Sequence, residues 1–161
     1  HFTRPPTAGH NAMADQAERL PAARGTYILL LNLPAPLPLI VGRLGQVLLP
    51  AGWHLYVGSA HGAGGLRARV GRHLRYEKRL HWHIDALTTI MPVKWVWYVE
   101  SPDRAECEWA HVLLALPEAA VPVQGFGASD CNCPTHLICV RDVAAAYQAL
   151  IRHTGGLLVV L

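Results

Sequence analysis

Gly25-Thr26-Tyr27-Ile28-Leu29-Leu30-Leu31, closed by Leu33-Pro34-Ala35-Pro36, is the stretch on which the fold turns. It reads as a strand, a short apolar run stopped by a proline pair. A second extended stretch, Leu39 to Leu49, is interrupted by Gly42 and Gly45 and predicts a hairpin. Pro50-Ala51-Gly52 turns the chain into a third strand, Trp53-His54-Leu55-Tyr56-Val57-Gly58. A glycine-rich loop, His61 to Gly65, then leads into Leu66 to Arg79, where Leu66, Val70 and Leu74 recur at helical spacing.

The pattern continues with a short helix at His81 to Ile90 and a strand at Val93 to Val99, rich in β-branched and aromatic residues. A further helix starts at Pro102-Asp103, carries the stripe Ala105, Trp109, Val112, Leu113 and Leu116, and stops at Pro117. After a polar loop from Gly125 to Pro134 come a strand at His136 to Val140, a helix at Val143 to Arg152 and a strand at Leu157 to Val160. The expectation is one α+β domain over residues 24–161, built around a mostly antiparallel sheet. His1 to Ala12 lacks apolar periodicity and is read as an unordered remnant appended before a native start at Met13.

Apolar residues make up 52% of the 161 and charged residues 16%, which excludes a disordered chain. The apolar runs fall far short of the roughly 20 residues of a membrane-spanning helix, so no membrane partner is expected. Four cysteines, with no apolar leader before them, suggest a reducing, cytoplasmic setting. The 14 basic residues are all arginine except Lys78 and Lys94. Arg67, Arg69, Arg72, Arg75, Lys78 and Arg79 gather on one predicted helix and its exit, with Glu77 the only acid before Asp85. Such a cluster reads either as a phosphate-facing surface or as a solvated helix face.

Gly25-Thr26-Tyr27, Tyr56-Val57-Gly58-Ser59-Ala60 and Arg69-Val70-Gly71-Arg72-His73 follow in order on strand, strand and helix. Through them the chain resembles the GIY-YIG nuclease superfamily, in particular its Uri-like branch of uncharacterised bacterial and archaeal domains. The resemblance covers roughly Gly25 to Leu116. It implies a small, mostly antiparallel sheet flanked by helices, here with an inserted hairpin and a C-terminal strand–helix extension. It further implies a divalent-metal-dependent endonuclease that hydrolyses phosphodiester bonds, with DNA preferred to RNA as partner and one Mg²⁺ or Mn²⁺ as cofactor.

In that reading Tyr27 and Tyr56 prepare the water, while Arg69 and His73 stabilise the phosphate. A tyrosine has an ordinary pKa of about 10 and becomes a usable base only beside cations, which Arg69 supplies. Arg67, Arg72, Arg75, Arg79 and His83 are the candidate nucleic-acid contacts. The metal ligand lies on the helix after the third strand, where Glu106 and Glu108 flank the apolar stripe on opposite sides. Glu106 is preferred because the resemblance places an apolar residue three positions on, and Trp109 stands there.

His81 and His83 point about 200° apart on a helix and are not expected to share a metal. Cys131-Asn132-Cys133-Pro134-Thr135-His136 offers three ligands for Zn²⁺ but no fourth nearby, although Cys107, His81 or His111 could supply it. The loop is therefore expected to hold reduced, buried cysteines rather than zinc. Two competing readings remain: a binding module of the same fold without cleavage, and a zinc-stabilised protein-interaction domain.

Overall fold

The computed structural model describes residues 16–128 and 131–161; the tail expected over residues 1–12 lies outside them. A short 3-10 helix (Gln16–Arg19) precedes β1 (Gly25–Leu33). There follow β2 (Leu37–Val41), β3 (Gly45–Leu49), β4 (Gly52–Ala60), α1 (Gly65–Leu74), α2 (Asp85–Thr88) and β5 (Trp95–Glu100). The chain continues through α3 (Glu106–Leu114), β6 (Leu137–Val140), α4 (Val143–Thr154) and β7 (Leu157–Val160). β2 and β3 form the expected hairpin as a separate two-stranded sheet.

The main sheet has the order β6-β4-β1-β5-β7, and every pairing in it is antiparallel. β1 is the central strand. Ile28 and Leu30 pack with Leu55, Val57 and Trp97 against Trp109 and Leu113 of α3 and Ala146 and Leu150 of α4. Tyr27, Leu29 and Leu31 pack on the other face with Tyr56, with Leu66 and Val70 of α1, and with Leu39 and Leu49 of the hairpin. Residues 28–31 are at most 2% exposed. Burying each such side chain contributes roughly 1.5–3 kcal/mol, which explains why this run is apolar on both alternating faces.

Three helices are shorter than their apolar patterns predict, and in each a polar group acts at a shortened end. α1 ends at Leu74 rather than Arg79: Lys78 Nζ donates to the carbonyls of Arg72 and His73, at 3.2 and 2.8 Å, and so occupies acceptors a longer helix would use. The segment at His81 to Ile90 is helical only over Asp85–Thr88, because the Asp85 carboxylate reaches back to the N–H groups of His81 and Trp82. α3 starts at Glu106 rather than Pro102, since the Ala105 N–H donates to Thr26 Oγ1 on β1 and holds the preceding residues to the sheet.

The strand glycine opposite Tyr27 has a steric reason. Gly58 on β4 pairs with Tyr27 on β1, and a Cβ there would lie 2.5 Å from the Tyr27 Cζ and hydroxyl. The tyrosine ring lies across its neighbour's backbone, and only glycine leaves it room. Gly58→Ala should therefore lower unfolding stability in urea by about 1–3 kcal/mol, the usual cost of overpacking a core. Gly62→Ala, where a Cβ meets nothing within 4 Å, should leave stability unchanged.

Candidate active site

β1, β4 and α1 bring four of the expected residues together. Tyr27 and Tyr56 lie on one face of adjacent strands, and His73 enters from α1 above them. The Tyr27 hydroxyl and His73 Nε2 are 2.6 Å apart. His73 Nδ1 has no hydrogen-bond partner among the described residues and faces Asp85 Oδ1 at 3.9 Å. A bare Nδ1 lone pair against a carboxylate would be repulsive, so the proton belongs on Nδ1 and Nε2 accepts from the tyrosine. Tyr56 completes the cluster edge-on to His73 and to Phe126. Gly127, at φ +69°, makes way for it, since a Cβ there would lie 2.8 Å from the Tyr56 ring.

Burial dominates the protonation of this cluster. It pushes the Tyr27 hydroxyl well above the ordinary tyrosine range, helped by Tyr56 and opposed by the Arg69 cation. Tyr56 is pushed up for the same reason, again opposed by Arg69. His73 is driven down to about 3 by burial, then by Lys78, so it is neutral. Both tyrosines are thus protonated in the resting protein, with exposures of 1% and 7%.

Arg69 sits at the rim. Its Nη1 donates to the Ser59 carbonyl at 3.2 Å, and its guanidinium lies 4.2 Å from the Trp82 ring centre. The Ser59 hydroxyl in turn donates to Glu106 Oε2 on α3. Ser59 therefore links the arginine and the preferred metal-ligand candidate. Glu106 is half-buried, whereas Glu108 is exposed and lines a separate depression with His111 and Arg152.

The expected basic face is smaller than its sequence suggests. Arg72 does not project to a ligand: it makes a two-pronged bond to Asp85, with both N–O distances 2.8 Å, because a fully buried carboxylate requires a cation. Arg67 Nε donates to the Leu20 carbonyl at 2.9 Å, just after the 3-10 helix. Arg75 and Arg79 are exposed. His83, expected as a phosphate or relay group, accepts the Gly127 N–H at 2.9 Å through Nδ1 and so braces a loop. Sequence reasoning missed Asp85 and Trp82; the available signal was an acid and an aromatic residue closely following an arginine-rich helix.

The cysteine loop also departs from expectation. Cys107, in the first turn of α3, meets it and is paired with Cys133 as a disulfide. The ligand atoms of Cys107, Cys131, Cys133 and His136 lie within 4.8 Å of one another and can hold a metal ion. A candidate for the fourth ligand absent from the local pattern thus stands on a helix, 24 residues before Cys131 in sequence. Thiolates with an imidazole suit Zn²⁺ rather than Mg²⁺.

The buried His73 and Asp85 make the fold acid-sensitive. His73 binds its proton near the ordinary value of 6.5 when unfolded but only near 3 when folded, so its contribution is complete above about pH 6.5 and is lost as pH falls toward 3. For Asp85, burial alone would raise the pKa, but the Arg72 bonds and two backbone N–H groups hold it below 3.8; its contribution disappears at still lower pH. Unfolding free energy should fall by on the order of 3 kcal/mol more between about pH 7 and pH 4 in the wild type than in His73→Gln. Chemical denaturation of the two proteins across that range is the check.

Neither a curated protein nor a solved structure matches this chain. The family model described as "Domain of unknown function DUF123" matches residues 26–157. That match runs from β1 to the start of β7 and takes in the tyrosine–histidine cluster, Arg69, Glu106 and the cysteine loop. The chain belongs to the DUF123 family.

Proposed function

We propose that the protein is a divalent-metal-dependent endonuclease of the GIY-YIG type, acting on DNA in preference to RNA in a reducing, cytoplasmic setting. The observation that carries this reading is the link through Ser59, which brings Arg69 and Glu106 to the rim of the buried Tyr27–His73 pair. A cation for phosphate, a carboxylate for a metal and a proton-holding pair then adjoin one another. A hard ion such as Mg²⁺ or Mn²⁺ takes oxygen donors and often only one or two protein carboxylates. The half-buried Glu106 carboxylate beside the Ser59 hydroxyl fits that requirement. When bound, such an ion supplies positive charge where negative charge develops and lowers the pKa of water.

The chain's own residues supply the remainder. Arg69, braced by Trp82 and the Ser59 carbonyl, holds the scissile phosphate and stabilises added charge on it. Neutral His73 takes hydrogen-bond density from the Tyr27 hydroxyl and can accept its proton when a phosphate-bound water gives one up to the phenol oxygen. Asp85 stabilises the histidine's positive state from the Nδ1 side. One observation favours the binding-module reading instead: both tyrosine hydroxyls are deeply buried and protonated at rest. Cleavage assays on labelled single- and double-stranded DNA and RNA, with Mg²⁺, Mn²⁺ or chelator, separate the two, because binding without cleavage of any substrate would leave only the module.

Glu106→Gln should abolish cleavage while leaving nucleic-acid affinity equal or tighter, since it deletes the metal ligand and one repulsive charge together. Arg69→Ala should lose both affinity and rate, and exposed Glu108→Gln should remain within a few-fold of wild type. An inactive Glu108→Gln beside an active Glu106→Gln would misplace the metal ligand, and full activity in both would end the nuclease reading.

The salt dependence of binding measures the reduced basic face. Each phosphate contact steepens the slope of log affinity against log salt by about 0.9 on duplex DNA. Arg75→Ala and Arg79→Ala should each flatten that slope by up to one contact. Arg72→Ala should instead lower stability by roughly 3–5 kcal/mol, the cost of leaving Asp85 buried and unpaired.

A further inference from the structure

We propose that, in the reduced protein, Cys107, Cys131, Cys133 and His136 bind one Zn²⁺ ion in a closed structural site. Three sulfurs and one imidazole nitrogen converge here from three parts of the chain: the first turn of α3, the loop before β6, and His136 immediately before that strand. Zinc bound at roughly 2.3 Å to sulfur and 2.0–2.1 Å to nitrogen in a tetrahedron sets its nitrogen and sulfur ligands about 3.5 Å apart. His136 Nε2 lies 3.4 Å from Cys131 Sγ and 3.6 Å from Cys107 Sγ. The imidazole thus stands at ligand spacing from two sulfurs on different elements.

Backbone bonds hold the loop in this arrangement independently of the sulfurs. The Gly125 N–H donates to the Pro134 carbonyl at 2.7 Å, and the His136 N–H to the Phe126 carbonyl at 2.8 Å. The Cα atoms of Cys107 and Cys133 are 6.0 Å apart, a separation that allows their sulfurs either to bond to each other or to share one ion. The two states are related by a balanced exchange. A dithiol donates two electrons and two protons to the Cys107–Cys133 bond, itself becoming a disulfide, and returns two thiols. Cys107, Cys131 and Cys133 then each release a proton as Zn²⁺ binds, leaving a centre with a single net negative charge.

With all four positions taken by protein ligands, no place remains for water or substrate, and the ion's role is structural. It would tie the loop of residues 131–136 to α3 at the residue directly after Glu106, fixing the helix turn that carries that carboxylate. The site does not depend on the nuclease reading.

The test is zinc content and thiol reactivity in protein purified with a dithiol and without added chelator. The expected result is one Zn²⁺ per chain, lost in Cys131→Ser and retained in Cys139→Ser, whose thiol lies outside the cluster. Cys131 is the decisive position because it takes no part in the disulfide. Should Cys131→Ser fail to fold, Co²⁺ replacement in the wild-type chain gives the same answer: strong visible absorption from tetrahedral thiolate-bound cobalt is expected. Reduced protein that retains no zinc after metal supplementation, shows no such cobalt spectrum, or keeps its zinc in Cys131→Ser would overturn the proposal.

Discussion

A single buried carboxylate organises the face of the sheet that carries the candidate site. Asp85 has no exposure and accepts four hydrogen bonds, two from the Arg72 guanidinium and one each from the backbone N–H groups of His81 and Trp82. A charge so placed is tolerable only when its oxygens are fully satisfied. Satisfying it draws the segment after α1 back against that helix and sets the Trp82 ring 4.2 and 4.5 Å from the Arg69 and Arg72 guanidinium carbons. Arg69 is thereby braced rather than free, and His73 acquires a carboxylate facing its otherwise unpartnered nitrogen. The position of the surface cation and the tautomer of the buried histidine both trace to this one residue.

The sheet supplies the other constraint. Tyr27 and Tyr56 have no room to reorient: one lies across Gly58 and the other against Gly127. Their hydroxyls therefore occupy fixed positions under α1, close to Arg69 yet shielded from water. Low dielectric strengthens the hydrogen bond between Tyr27 and His73 while making a standing phenolate costly. Such a pair can hold or pass a proton during a reaction more readily than it can store negative charge beforehand.

The strands were legible because short apolar runs ended by proline or glycine leave few alternatives, and β1, the hairpin, β4, β5, β6 and β7 all formed where those runs lie. Helix ends were less legible. The pattern Leu66, Val70, Leu74 extends naturally toward Arg79, but Lys78 takes up the helix's terminal carbonyls, an interaction between a side chain and backbone that periodicity does not encode. The grouping of Tyr27, Tyr56, Arg69 and His73 could be anticipated from ordered motifs, whereas the diversion of Arg72 to Asp85 could not. Counting cations on a helix treats them as equivalent, and a fully buried acid 13 residues away removes one of them from the surface. Cys107 could be offered only as one of three candidates for a fourth ligand for a related reason: its partners are 24 to 29 residues distant, beyond the reach of any local spacing rule.

The strand order β6-β4-β1-β5-β7 also has a meaning in time. Among the described residues β1 precedes the other strands and lies at the centre of the main sheet; β4 and β5, made after it, flank it, and β6 and β7, made later still, take the outer places. The sheet can therefore grow outward as the chain emerges, each new strand finding an existing edge without displacing an earlier one. The same order leaves the outer hydrogen-bonding edges of β4 and β5 bare until β6 and β7 arrive. During synthesis those edges are the molecule's most adhesive surface, and the interval before β6 and β7 dock is when two nascent copies could most easily pair with each other instead.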